Sequence, residues 1–319
     1  MNNIDVRVSR ICTETDDVRT LEFEAVRGER LPLYAPGSHI DVYLPSGLVR
    51  QYSLCDRNGD GTRYTIAVKL EPESRGGSAY LHEQVHEGDV LRLGTPRNNF
   101  RLHQSADHHV LMAAGIGITP ILSMAYQLAA EGLSFEIHYF TRSHSQTPFR
   151  TALSEPDFHG KVDFYHGLAP DAVQLKLRGI LQKRQKGAHL YLCGPRPFMV
   201  AIQTIAHGDW PAETVHLENF RAPKRPSEMP GESFRVRLAR SGGEYIVPAR
   251  ESIAATLVRN GVNVSLSCEL GICGSCLTRV LEGQPEHHDS YLSDAEKQAG
   301  DKMMICVSRA STEALVLDL

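Results

Sequence analysis

The chain has 319 residues, 41% hydrophobic, 7% aromatic and 23% charged, with a formal net charge of −4. That length exceeds one compact core and suits two or three domains, and the composition excludes wholesale disorder and fibrous architectures. No basic surplus points to nucleic acid, no run of about 18 apolar residues points to a membrane span, and the opening MNNIDVRVSR lacks a signal-peptide core, so the expected location is the cytoplasm, where thiols stay reduced.

Residues 1–103 alternate apolar and polar side chains in VRVSRI, TLEFEAV, HIDVYL, RQYSL, YTIAVKL and DVLRLG, separated by turns such as APGSH, LPSG and HEGD. Many short strands with turn signals predict a small antiparallel β-barrel. RQYS places Arg50, Gln51, Tyr52 and Ser53 on one strand, and RGGS places Arg75, Gly76, Gly77 and Ser78 just before the helical AYLHEQV. A Gly-Gly-Ser turn opening a helix offers N–H groups and a hydroxyl to an anion, and arginine adds bidentate phosphate geometry. An ordinary surface loop fits RGGS equally.

From about residue 104 the pattern changes to strands alternating with helices: HHVLMAAG, ITPILSMAYQLAAEG, FEIHYFT, KVDFYHG, LKLRGILQKRQ, AHLYLCGP and RPFMVAIQTIAHG. This predicts βαβ units and a parallel sheet over 104–223. AAGIGITPI follows a strand and opens a helix, the setting of a pyrophosphate-binding turn, although it is not a GxGxxG. Thr141 and Arg142 end the next strand, and Cys193, Gly194 and Pro195 end a later one. Ligands of open parallel sheets bind outside such carboxyl ends, so the three strand ends mark one crevice.

RAPKRPSEMPGES, with three prolines and no apolar periodicity, reads as a linker. Beyond it, SFRVRLARS and EYIVP suggest a hairpin, SIAATLVRNG a helix, and MMICVSRAS and LVLDL short strands. Four of the seven cysteines fall here. Cys268, Cys273 and Cys276 follow C-x4-C-x2-C, with Cys306 on a distant strand, which is plant-type 2Fe–2S ligand spacing. Gly271, Gly274 and Ser275 let backbone pass close to inorganic sulfide. A zinc site or plain buried cysteines are the competing readings.

In their order, RQYS, RGGS, PRNNF (Pro96–Phe100), GIGITP, CGP, HLENF (His216–Phe220) and the cysteine pattern resemble the phthalate dioxygenase reductase and vanillate O-demethylase reductase family. These are reductase components of two-component oxygenases, in the ferredoxin–NADP reductase superfamily with a C-terminal ferredoxin domain. The resemblance covers essentially the whole chain. It implies a flavin-binding antiparallel β-barrel at 1–103, an NAD-binding α/β parallel-sheet domain at 104–223, a linker at 224–233 and an α+β (β-grasp) ferredoxin domain at 234–319.

By the same resemblance, Arg50, Tyr52 and Ser53 hold the flavin, Ala67, Val68 and Lys69 line its ring, and Arg75, Gly76, Gly77 and Ser78 hold its phosphate. Gly115, Ile116, Gly117, Thr119 and Pro120 contact the nicotinamide cofactor, Thr141 and Arg142 its ribose, and Cys193, Gly194 and Pro195 the nicotinamide. Glu218 and Phe220 match the family's E-x-F near the flavin–nicotinamide contact, and Cys268, Cys273, Cys276 and Cys306 ligate the cluster. One departure is Ala113 and Ala114 where the family commonly has glycines.

The implied cofactors are FMN (alternative FAD), a 2Fe–2S cluster and NADH (alternative NADPH, for which Arg142 is the obvious phosphate partner). Electrons would run from NADH through flavin and cluster to a terminal Rieske-type oxygenase, with no general base or nucleophile. The alternatives are a stand-alone flavin or ferric reductase with another acceptor, and a non-enzymatic metal-binding redox sensor. Six acids and one lysine between Glu282 and Asp301 suggest an acidic rim for docking a basic partner surface. The 15 histidines, His287 and His288 included, are expected on the surface.

Overall fold

Period-two alternation builds the N-terminal sheet in the computed structural model, which describes residues 3–57, 60–72, 74, 76–220, 231–266, 269, 271 and 274–319. Its elements are β1 (Asn3–Thr15), β2 (Val18–Ala25), β3 (Ser38–Tyr43), β4 (Val49–Ser53), β5 (Tyr64–Lys69), α1 (Gly77–Glu83), β6 (Val90–Gly94) and β7 (Arg97–Asn98). The strand order is β4-β3-β6-β1-β2-β5, with β7 on β3, and every pairing is antiparallel. A bridge between Leu54 and Ile66 joins the two end strands and closes the barrel. Inward residues such as Val8, Phe23, Ile40, Val42, Ile66 and Leu93 fill it.

A second sheet follows in the same compact unit, Met1–Glu218. It comprises β8 (His108–Ala114), α2 (Ile118–Ala130), β9 (Phe135–Thr141), β10 (Val162–His166), α3 (Pro170–Leu181), β11 (Ala188–Cys193), α4 (Arg196–Ala206) and β12 (Val215–Glu218). The order is β10-β9-β8-β11-β12, all parallel. Every residue of β8 and β11 is buried, which is why both read as continuous apolar runs. Helix α2 packs on one face with Leu111 and Ile137, and α3 and α4 pack on the other with Val110 and Leu190. The chain leaves β8 towards β9 and returns on its other side as β11, so the topological switch lies between the carboxyl ends of β8 and β11.

The second unit, Asn219–Leu319, contains β13 (Phe234–Leu238), β14 (Glu244–Val247), α5 (Ile253–Arg259), β15 (Leu277–Glu282), β16 (Pro285–Glu286), α6 (Asp294–Ala299), β17 (Lys302–Met304), β18 (Arg309–Ala310) and β19 (Ala314–Leu317). The sheet β14-β13-β19-β15-β17 is mixed, with β13 and β19 parallel. Ser252 accepts a hydrogen bond from the Ala255 N–H and starts α5, which buries Ile253, Ala254 and Leu257 against Val236, Met303 and Leu315. A helix packed on a mixed sheet is the expected β-grasp arrangement. Arg309 is buried, spreads over the Phe234 ring, and donates to the carbonyls of Glu232, Pro248 and Glu251.

Three expectations change here. Cys306 lies on the turn Ile305–Val307 that follows β17, not on a strand. The histidines are not a surface population: His39, His82, His108, His109, His138 and His189 are buried, and the side chains of His287 and His288 are only 9% and 12% exposed. The acidic rim is thinner than its composition, because Asp289 is buried and Glu296 is engaged by Ser293 and Lys302. Among the described residues, no helix is long and apolar enough to cross a membrane.

Candidate functional site

The barrel and the parallel sheet share one apolar layer, in which Val18, Cys55 and Ala67 pack with Leu111, Ala113 and Cys193. Where this layer meets the carboxyl ends of β11 and β12, polar groups are buried. Cys193 is the parallel-register partner of Glu218. Glu218 as a residue is half-buried, but its Oε2 lies away from solvent without a hydrogen-bond partner, as does the Ser53 hydroxyl. Burial pushes the Glu218 carboxyl up to about 8, against a smaller opposing pull from the nearby Ser53 hydroxyl. Burial, and then Glu218, push the Cys193 thiol well up. Orphaned buried polar atoms of this kind fit a polar ligand edge that completes the site.

Two glycine positions shape the approaches. A Cβ on Gly117 would collide with the Cys193 carbonyl and stand 2.8 Å from the Gly194 nitrogen, so only glycine lets the β8 turn lie against the end of β11. The buried Tyr139 hydroxyl donates to the Gly115 carbonyl at 3.0 Å and fixes the turn. In the barrel, a Cβ on Gly77 would stand 2.7 Å from Arg50 Cγ, so the arginine lies directly across the start of α1. This pairing of a guanidinium stem with a bare helix start fits a phosphate. Gly76, at φ 91°, makes the turn into that helix.

The structure places the other expected contact residues as follows. Val68 belongs to the barrel core, because alternation turns it inward with Ile66, and its carbonyl already contacts His82 Nε2 at 2.8 Å. Ala67 faces the shared layer, and Lys69 lies near Glu71 and Asp17 at 3.4 and 4.0 Å. The Ser78 hydroxyl is bonded to Ser74 and to the Glu71 N–H. Tyr52 packs on the barrel core. Thr119 and Pro120 are buried in the first turn of α2, with the Thr119 hydroxyl on the Ile116 carbonyl. The Thr141 hydroxyl meets Thr147 and His166, each at 2.8 Å, while Arg142 is exposed. Pro195 is exposed and precedes α4 at its N-cap position, and Phe220 is 36% exposed. Arg75 lies outside the described residues.

His39 escaped the sequence reading. It stands opposite Ser53 across the β3–β4 pair, is 6% exposed, and neither ring nitrogen has a partner. Burial first, and Arg97 next, push it down to about 4. The available signal was its alternation with the core residues Ile40 and Val42, which puts His39 on the same strand face as Asp41.

In the second unit, Cys268 and Cys273 lie outside the described residues. Cys276 and Cys306 are buried, each 5% exposed, and carry no disulfide. They flank the paired residues Leu277 and Met304, which brings the two thiol-bearing segments together. Gly271 and Gly274 have φ of 69° and 78°, and a Cβ on Gly274 would stand 2.6 Å from the Tyr291 ring. Buried thiols beside left-handed glycines fit a thiolate-held cluster better than inert core cysteines.

The 2Fe-2S iron-sulfur cluster binding domain family matches residues 236–311, and the N-terminal domain of the dimethylamine monooxygenase subunit DmmA-like family matches 95–213. Vanillate O-demethylase oxidoreductase of Pseudomonas sp. is 41% identical over 317 residues, covering 99% of this chain and all of the relative. Phthalate dioxygenase reductase of Burkholderia cepacia is 39% identical over 304 residues, covering 95% and 93%. The chain belongs to this family of oxygenase reductases. A solved phthalate dioxygenase reductase, described as a modular structure for electron transfer from pyridine nucleotides to 2Fe-2S, superposes with a TM-score of 0.76 at 38% identity, covering 100% of this chain and 98% of that one. As a member of the reductase family, this protein is an oxidoreductase with a C-terminal 2Fe–2S domain.

Proposed function

We propose that this reductase takes hydride from NADH on FMN and passes single electrons through its 2Fe–2S cluster to a terminal Rieske-type oxygenase component in the cytoplasm. The observation that carries the reading is the buried Ser53–Cys193–Glu218 group, where a barrel strand end meets the carboxyl ends of β11 and β12. On this reading residues 1–103 hold flavin, 104–223 hold nicotinamide nucleotide, and 234–319 hold the cluster. FMN is preferred to FAD by likeness to the family and by Arg50 across the start of α1. A bound flavin supplies acceptance of two electrons at once and their release singly to a one-electron centre.

The chain's own residues bind and orient. Arg50, Gly76 and Gly77 hold the flavin phosphate. Ser53 presents a hydroxyl and Glu218 a neutral carboxyl to the reacting edge, and Glu218 Oε2 is buried without a hydrogen-bond partner. Gly115, Gly117 and Gly194 let a dinucleotide backbone approach the switch point, and Arg142 stands where its ribose would end. The surrounding apolar layer keeps water from the reduced ring. The exposed acids Glu282, Glu286, Asp294 and Asp301 suit docking to a basic surface on the oxygenase.

Cofactor analysis of the purified protein, with rates for NADH and NADPH and turnover of a co-purified Rieske oxygenase, tests the proposal. Flavin absorbance with iron–sulfur shoulders, a faster rate with NADH, and NADH-driven oxygenase turnover are expected. A colourless protein sinks the reading. A coloured protein that reduces ferric iron but supports no oxygenase favours the alternative acceptor.

A further inference from the structure

His39 is a buried imidazole to which the site described above gives no task. It stands on β3 directly opposite Ser53 of β4, and opposed residues of an antiparallel pair share a face, with Cβ atoms about 4.5–5.5 Å apart. His39 is 6% exposed and Ser53 5%, and neither ring nitrogen of His39 has a hydrogen-bond partner. A polar ring in an interior is costly until it finds a partner. The charged groups that act on it, Arg97 and Asp41, are bonded to each other at 2.8 Å. Gln51 donates to the same Asp41 oxygen at 2.9 Å.

Ser53 stands between this ring and Glu218. Its hydroxyl is near enough to the Glu218 carboxyl to oppose, in small part, the upward push of burial, and Glu218 Oε2 is buried without a hydrogen-bond partner. The two flanking groups are in complementary states at neutral pH. Burial, and then Arg97, hold His39 down at about 4, so the imidazole is uncharged and one of its nitrogens accepts. Burial holds the Glu218 carboxyl up at about 8, so it carries a proton to donate. A donor and an acceptor therefore flank one hydroxyl, and all three residues belong to the unit Met1–Glu218.

We propose that His39 is a positioning residue that accepts the Ser53 O–H while the Glu218 carboxyl donates to the Ser53 oxygen, so that Ser53 turns its remaining lone pair to the bound flavin. The inference rests on the flavin reading above. A hydroxyl has one proton and two lone pairs. With the proton given to His39 and one pair taken by Glu218, Ser53 meets the ligand only as an acceptor. The ring nitrogen that receives hydride bears an N–H only when the flavin is reduced, so an acceptor at that edge favours the reduced form. Hydrogen bonds to ring nitrogens are one of the means by which a protein tunes such a cofactor. Without His39 the hydroxyl proton is free to turn to the oxidised ring, which favours the opposite form.

Redox titration of the flavin in the full-length holoprotein, followed by flavin absorbance with the cluster read separately by EPR, tests it. His39→Leu should move the two-electron reduction equilibrium of the flavin about tenfold towards the oxidised form, a potential lower by about 30 mV. His39→Gln, whose amide oxygen still accepts, should keep the wild-type potential. In a Ser53→Ala background, His39→Leu should add no further shift. A folded His39→Leu protein with the wild-type flavin potential overturns the proposal. So does a His39→Gln protein that shifts as far as His39→Leu, and so does a further shift in the Ser53→Ala background. If His39→Leu does not fold, the other two single variants decide. A lowered potential in Ser53→Ala with none in His39→Gln supports the role, and any other pattern overturns it. A purified wild-type protein without flavin overturns the flavin reading and the positioning role with it.

Discussion

Gly117 and Cys193 are in backbone contact across the switch point of the parallel sheet. A side chain on the glycine would occupy the space of the Cys193 carbonyl. The φ of Gly117 is an ordinary −61°, so its requirement is room and not backbone freedom. Gly117→Ala should therefore push the turn away from β11. The expected result is a rise in KM for NADH of about tenfold and a stability loss of about 1–3 kcal/mol, the usual cost of overpacking. Steady-state kinetics and urea unfolding check both. An alanine variant with unchanged KM would show that the turn does not set nucleotide approach.

Glu218 predicts an alkaline effect. In the fold its carboxyl stays protonated to about pH 8, whereas the unfolded group ionises near 4.5. The folded state thus binds the extra proton, so the contribution is intact below pH 4.5 and is lost as pH rises towards 8. Glu218→Gln, which keeps the shape without the charge, should flatten stability over that window and gain about 2 kcal/mol near pH 8. Chemical denaturation at pH 5, 6.5 and 8 reads this. If wild type and variant fall in parallel between pH 5 and 8, the carboxyl is not the titrating group.

Much of this was legible in the chain, and the failures share a cause. Strands β1 to β6 declare themselves by alternation, and β8 and β11 by unbroken apolar runs between a turn and a helix. The glycine turn and the CGP strand end could be placed on one crevice by topology alone. Strand β12 could not, because VHLE is four residues long and half-buried along its length. Strand β15 and helix α6, six residues each with mixed polarity, carry equally little periodic signal. Asp289 counted as surface charge and His39 as surface imidazole because composition carries no information about burial. The Ser53–Glu218 approach joins residues 165 positions apart in the sequence and is visible only once the barrel and sheet are assembled.

A column of imidazoles predicts acid sensitivity. His103 and His189 stack with ring centroids 4.4 Å apart, His189 and His216 at 5.2 Å, and His189 Nδ1 lies 2.9 Å from His216 Nε2. Burial, and then His189, His103 and His109, push His216 down to about 4. Unfolded histidine takes up its proton near 6.5, so the unfolded chain gains protons first as pH falls. Stability is full above that value and is lost between about 6.5 and 4, by on the order of 1 kcal/mol after screening. His39, also pushed down to about 4, acts in the same direction. His216→Gln should make the first unit less sensitive to pH 5 in thermal unfolding, and an identical acid loss in the variant would remove His216 from the account.

The division into two compact units predicts that the chemistry divides as well. Cys306 lies on the turn after β17, is 5% exposed, and belongs to the unit Asn219–Leu319. The Ser53–Cys193–Glu218 group belongs entirely to Met1–Glu218. Replacing Cys306 by serine exchanges a soft thiolate for a hard, weakly acidic hydroxyl, which disfavours iron–sulfur ligation. Cys306→Ser should therefore lose cytochrome c reduction by at least about a hundredfold, the scale on which a metal site fails when its binding is disturbed. Flavin reduction by NADH should stay within about twofold of wild type, because none of the residues that hold the nucleotide or flavin has changed. Stopped-flow bleaching of flavin absorbance separates the two steps. Loss of flavin reduction together with cytochrome c reduction would show that the first unit depends on the cluster unit for its own fold.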